Sequence, residues 1–116
     1  MYVCMYMQCI IASGRPELFV GLHFFNPVQV MKLVEVVKTV HTDELVFQRM
    51  VEFIRSIGKV PVSCGDTPGF IVNRLLVPYL AQALLMLDRG DATIQDIDVS
   101  MQLGAGHPMV TVEILT

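Results

Sequence analysis

The run Gly21-Leu22-His23-Phe24-Phe25-Asn26-Pro27-Val28-Gln29-Val30-Met31-Lys32-Leu33-Val34-Glu35 constrains this chain more than any other stretch. Leu18 to Phe25 and Val30 to Val37 are rich in the β-branched and aromatic residues that suit strands. Asn26-Pro27 between them reads as a bend, because proline presets its φ and asparagine tolerates turn geometry. If the chain doubles back about Gln29, His23 and Glu35 fall opposite each other, since each lies six residues from that point. A carboxylate facing an imidazole fixes its tautomer and raises its basicity, as a general base requires. The residues alone leave two readings open: such a pair, or a satisfied structural histidine in an apolar strand.

The wording of the run goes further than its pattern. It closely resembles the H-F-F-N-P…M-K-L-V-E signature of the L-3-hydroxyacyl-CoA dehydrogenases, which include the 3-hydroxybutyryl-CoA enzymes. The resemblance continues through Asp66-Thr67-Pro68-Gly69-Phe70-Ile71-Val72-Asn73-Arg74 and Arg89-Gly90-Asp91-Ala92, and reaches Leu103-Gly104-Ala105-Gly106-His107-Pro108-Met109. It covers roughly residues 14 to 109.

The resemblance implies an α/β fold, the C-terminal part of a Rossmann-like doubly wound domain followed by an all-helical segment. Residues 1–65 would belong to an NAD-binding domain and 66–116 to a helical C-terminal domain. The implied activity is NAD-dependent oxidation of an L-3-hydroxyacyl-CoA to the 3-ketoacyl-CoA in fatty-acid β-oxidation. His23 matches the family's general base, Glu35 the carboxylate that orients it, and Asn73 a polar residue that positions the substrate oxygen. Asn26 matches a cofactor contact. Homo-oligomerisation or pairing with a full-length relative is implied as well. So is a mitochondrial-matrix location in a eukaryote, or a cytoplasmic one in a bacterium.

The family's Gly-rich turn of the G-x-G-x-x-G type, which holds the pyrophosphate, does not occur in the sequence. The acidic residue expected some way after it is missing too, as is the Asn-Thr-Ser-Ser segment that would precede Arg15-Pro16-Glu17. After Met109 the chain departs from the family's continuation. A competing expectation is therefore a catalytically inactive, truncated binding or dimerisation module of the same family; a gene-model or splice fragment is a third.

Composition bounds the partners. The 116 residues are 53% hydrophobic, with a mean hydropathy of +0.58, so the chain has more apolar surface than a domain this small easily buries. The net charge of −3 and the lack of a basic run exclude a nucleic-acid footprint. No apolar run reaches the length of a membrane span. Cys4, Cys9 and Cys64 lack metal-ligand spacing and read as reduced thiols, so no metal is expected. The eight methionines are scattered and read as core filling.

Taken in order, Met1 to Ala12 reads as a continuous apolar strand, buried on both faces. Ser13 to Glu17 reads as a turn. Thr42 is placed to cap a helix with Asp43 and Glu44 in its first turn. Val46, Met50, Phe53 or Ile54, and Ile57 form its apolar stripe, and Gly58 ends it. Lys59 to Ser63 is a short strand, with Pro61 hinting at an edge. Gly65 to Gly69 is a linker, and Thr67 with Pro68 opens a long helix running to about Arg89, which Pro78 should kink. Thr93 caps a further helix with Ile94, Ile97 and Met101 on its apolar face, closed by Gly104. His41, His107, Lys32 and Arg74 read as exposed, and Asp66 as a turn residue.

Overall fold

The computed structural model describes residues 10–107 of the chain, in two compact units, Met1–Ile71 and Val72–Thr116. In the first, the strands β1 (Gly21–Phe24), β2 (Leu33–Lys38) and β3 (Val60–Gly65) form a three-stranded sheet in that order. β1 pairs antiparallel with β2, and β2 pairs parallel with β3 through the crossover helix α1 (Glu44–Ser56). The sheet is thus mixed, with a β-α-β crossover of the kind that builds doubly wound folds.

β2 is the axis of this unit. Val34, Glu35, Val36 and Val37 are each 0% exposed, so the strand is covered on both faces. Side chains alternate along a strand, which sends Val34 and Val36 to one face and Glu35 to the other. Val34 and Val36 pack with Phe47, Val51 and Ile54 of α1, and with the half-buried Val20, Leu22, Phe24 and Met50. That face is the hydrophobic core.

The structure bears out Ile54, one of the two residues expected at its position, and packs Met50 at the core's edge, but otherwise shifts the expected stripe of α1 by one residue. Phe47, Val51 and Ile54 stand at i, i+4 and i+7 and are buried, whereas Phe53 and Ile57 are 51% and 44% exposed. Ile57 is the C-cap, already outside the helix. The cap also shifts. Asp43, not Thr42, accepts from the amides of Leu45 and Val46, at 2.8 and 3.2 Å. Thr42 is engaged elsewhere, its buried hydroxyl donating to the Phe19 carbonyl at 2.8 Å and accepting from the Thr39 amide at 3.0 Å. Gly58 ends the helix as expected, at φ +76, with Gly58 N–H on the Arg55 carbonyl and Lys59 N–H on that of Ile54.

The expected strand over Met1–Ala12 is corrected where it is described: residues 10–13 form a helical turn, and residues 1–9 lie outside the described residues. Ile10 is buried while Ile11 is 73% exposed, so the run is not covered on both faces. A short apolar run carries no period that separates a buried strand from a helix. Pro108 to Thr116 also lies outside the described residues. The two expected β1 and β2 segments shorten to the cores given above, since residues 28–30 form a turn. Lys59 Nζ secures that turn by donating to the Val28 and Met31 carbonyls at 2.6 and 2.9 Å.

The second unit holds α2 (Val72–Asp88) and α3 (Ile94–Ala105). Pro78 lies inside α2 and offers no N–H to the carbonyl four residues back. The Thr93 cap is as expected: its hydroxyl accepts from the Asp96 amide and donates to the Asp96 carboxylate. Ile97 is buried against Ala83, with Leu87, Ala92 and Ile94 around it. Gly104 does not close α3; Gly106, at φ +68, does. Among the described residues no helix is long and apolar enough to cross a membrane.

Ile54 is fully buried at the centre of the α1–sheet contact, so Ile54→Ala should cost about 2–5 kcal/mol in denaturant unfolding. Leu45→Ala on the exposed side should change stability by under about 1 kcal/mol. Equal losses at both positions would show that α1 does not pack on β2 as described.

Candidate active site

The antiparallel register sets His23 directly against Glu35, as the equal spacing about Gln29 predicts. Both project from the sheet face opposite the α1 core, because Leu22, Phe24, Val34 and Val36 occupy that core. His23 Nδ1 lies 2.7 Å from Glu35 Oε2. The Glu35 side chain is 1% exposed and that of His23 is 27% exposed. One partner is sealed, and the other remains reachable by a reactant.

A carboxylate this buried requires donors, since an unpaired buried charge is strongly disfavoured. His23 supplies one. The Ile71 backbone amide supplies another, donating to Glu35 Oε1 at 3.0 Å. With Glu35 ionised, Nδ1 carries the ring proton and donates it, which leaves Nε2 with the free lone pair. The arrangement can therefore accept a proton at Nε2, and the carboxylate stabilises the positive ring that results.

Two rings flank the imidazole. Phe25 lies 4.7 Å away between centroids, tilted by 54°, and Phe70 lies 5.4 Å away, tilted by 48°. Sequence reasoning missed Phe70 and the Ile71 amide. It expected α2 to start at Pro68 with Thr67 as cap, whereas the helix begins at Val72. The physical reason is the backbone: Gly69 and Phe70 are both left-handed, at φ +80 and +48, and cannot be helical turns. Thr67 instead offers its carbonyl to the Phe70 amide at 3.0 Å. A Pro-Gly pair signals such a turn, and it was the available clue.

Asn73 is the second residue of α2, in its first turn rather than about one turn in, and it is exposed. It belongs to the second unit. Asn26 is exposed, two positions past the end of β1. Lys32, Arg74 and His41 are exposed, as expected. His107 is exposed too, with its ring 5.2 Å from that of Tyr79. Asp66 follows β3 with its Oδ1 buried and without a hydrogen-bond partner among the described residues. Burial, and then the negative charges of Glu35 and Asp66, push the Cys64 thiol above its ordinary value. Cys64 thus senses the Glu35 charge from the neighbouring strand.

Comparison with known proteins follows the same division. The profile described as "3-hydroxyacyl-CoA dehydrogenase, NAD binding domain" matches residues 6–67. That described as "3-hydroxyacyl-CoA dehydrogenase, C-terminal domain" matches residues 69–116. The human protein named "Hydroxyacyl-coenzyme A dehydrogenase, mitochondrial" is 60% identical over 104 residues, which are 90% of this chain and 33% of that protein. A 3-hydroxybutyryl-CoA dehydrogenase of Mycobacterium tuberculosis is 47% identical over 104 residues, 89% of this chain and 36% of its own length. The crystal structure of (S)-3-hydroxybutyryl-CoA dehydrogenase from Ralstonia eutropha superposes with a TM-score of 0.83 at 37% identity, covering 87% of this chain and 36% of that one. The chain spans about a third of the length of the curated relatives it matches.

Glu35→Gln provides a direct check on this geometry. Ile71 N–H and His23 Nδ1–H meet different oxygens of Glu35, and an amide keeps an acceptor at only one of those two positions, so about 1–3 kcal/mol of stability should be lost. The same substitution removes one of the charges that hold the Cys64 thiol up. Cys64 alkylation near pH 8, followed by peptide mass spectrometry, should therefore accelerate, while staying slower than that of a free cysteine. An unchanged rate would place the Glu35 charge elsewhere.

Proposed function

Since the chain belongs to the 3-hydroxyacyl-CoA dehydrogenase family, we propose that it carries the proton-transfer element of the NAD-dependent oxidation of an L-3-hydroxyacyl-CoA to its 3-ketoacyl-CoA. The observation that supports this reading is the 2.7 Å contact between the reachable His23 and the sealed Glu35. In the oxidising direction His23 Nε2 takes the proton of the substrate's 3-hydroxyl as the C3–O bond becomes a carbonyl. Glu35 holds Nδ1–H in place and offsets the charge of the imidazolium. In the reverse direction the imidazolium returns the proton to the forming hydroxyl, as general acid. Asn73 is the proposed group that orients the substrate oxygen, its amide able to donate to a hydroxyl or a carbonyl.

The family's first domain is described as NAD-binding, and a bound NAD would supply the acceptor for the hydride of C3. The pyrophosphate of such a cofactor is held by a Gly-rich turn that opens a helix. No such run occurs in the 116 residues. A Cβ added at Gly14, Gly58, Gly65, Gly90, Gly104 or Gly106 would meet nothing within 4 Å, so none of these glycines forms a close cradle. These glycines do not fit a pyrophosphate, and no step is assigned through the cofactor. Asn26 is proposed as a single cofactor contact. Residues 1–65 and 66–116 are proposed as the corresponding parts of the NAD-binding and helical domains.

The exposed apolar residues of α2, Leu75, Val77 and Leu85 at 69%, 60% and 45%, favour a further reading: the helical part pairs with another copy or with a longer relative. Relatives named as mitochondrial support a mitochondrial location if the source is eukaryotic.

The catalytic reading is tested by grafting residues 14–109 into the matching segment of the human relative and following acetoacetyl-CoA-dependent NADH oxidation. The graft should turn over, and His23→Gln within it should slow turnover by about 10²–10⁴-fold. Turnover that survives the substitution would remove His23 from the chemistry. The pairing reading predicts a sedimentation coefficient that rises with concentration, or on mixing with the full-length relative. A constant monomer value in both experiments would dispose of it.

A further inference from the structure

The turn at Gly69-Phe70 combines a backbone that asks for glycine with a residue that is large. At φ +48, Phe70 is the one non-glycine residue with positive φ among those described. A left-handed conformation crowds Cβ against the backbone, and glycine would adopt it without that cost. Such strain persists only where the surroundings over-determine it. Here the turn is closed by Phe70 N–H on the Thr67 carbonyl, at 3.0 Å. It is then pinned to the sheet by Ile71 N–H on Glu35 Oε1, also at 3.0 Å. The φ and ψ of Phe70 decide where that next amide points, so an extended or right-handed Phe70 would swing it away from Glu35.

The backbone accounts for the turn, but it does not account for a phenyl group there. The ring's position does. It lies 5.4 Å from the His23 ring, which Phe25 also contacts at 4.7 Å. The hydrogen bond to Glu35 fixes Nδ1, and together with the Cβ–Cγ bond it still allows the ring plane a limited swivel. Two aromatic neighbours remove that swivel by contact alone, since tilted rings at these separations attract. A base must present its lone pair along a narrow direction, and small misplacements are costly in rate.

We propose that Phe70 is a positioning residue for His23: its ring, set in place by the left-handed turn that Glu35 pins, holds the imidazole plane and so the direction of Nε2. The catalytic meaning of this rests on the dehydrogenase reading, but the placement of the ring does not.

The test reads His23 itself. In chain labelled with ¹⁵N-histidine, the Nδ1–H of His23 is followed by long-range nitrogen–proton spectra, with Ile71 amide exchange and the Val34 and Ile54 methyl signals as controls for the turn and the fold. Phe70→Gly suits the left-handed backbone and removes the ring. It should leave Ile71 protected and the methyl signals in place, while Nδ1–H broadens and exchanges with water roughly tenfold faster. Phe70→Tyr restores a ring and should restore the wild-type signal. Phe70→Leu fills the space without a flat face and should behave like Phe70→Gly. A sharp wild-type Nδ1–H in either the glycine or the leucine variant would overturn the proposal. The readout needs no turnover, so a graft that fails to oxidise substrate while these shifts appear as stated counts against the dehydrogenase reading and supports the positioning of His23 by Phe70.

Discussion

A carboxylate with 0% exposure in the central strand of a small sheet is the constraint from which the rest of the first unit follows. Glu35 sits between Val34 and Val36, whose side chains go to the core with those of α1. A charge in that setting persists only if the opposite face brings donors to it. One donor comes from a neighbouring strand, by register, and one from the backbone of the segment that leaves β3. The β1–β2 hairpin and the turn after β3 are thereby tied to a single side chain. Removing either donor would take one partner from a buried carboxylate, a cost that favours keeping a turn with a strained phenylalanine at that point.

The legible and illegible parts of the sequence differ in the range of the interactions that decide them. The opposition of His23 and Glu35 could be read because a hairpin converts spacing into register, and the two residues are equidistant from its bend. The Thr93 cap and the Gly58 helix end could be read because a few neighbouring residues suffice to form them. Thr42 was misassigned because its hydroxyl is committed to the Phe19 carbonyl, 23 residues away, and no local rule reports that bond. The start of α2 was placed too early for a related reason. Pro68 favours a first helical turn, but the left-handed Phe70 that forbids it depends on Glu35, 36 residues before Ile71. The apolar run before Ser13 failed differently, since residues without a period cannot distinguish a covered strand from a covered helix.

The family's two profiles meet near the turn at residues 68–70, where the first ends at 67 and the second begins at 69. This is the same turn whose amide is held by Glu35. The boundary between the matched parts is therefore a structural part of the candidate site, and is more than a tether. A segment that joins two units is ordinarily free to vary, because it runs over the surface with few contacts. Here its φ values, its amide and its ring are each engaged, the amide by Glu35 and the ring against His23.

The two halves of a hydroxyl oxidation make different demands on a fold. Moving the proton needs a base, a group to orient it, and neighbours that keep it still. On the proposed reading a hairpin and one turn supply these, through contacts between β1, β2 and the segment after β3. Moving the hydride needs a dinucleotide held at its pyrophosphate, which depends on a Gly-rich turn found nowhere in these 116 residues. The first demand is met locally and the second across a whole doubly wound sheet. The stretch described therefore holds the His23–Glu35 geometry by its own contacts, while the Gly-rich turn is not among its residues. His23 and Glu35 are held by contacts within the first unit, between β1, β2 and the segment after β3.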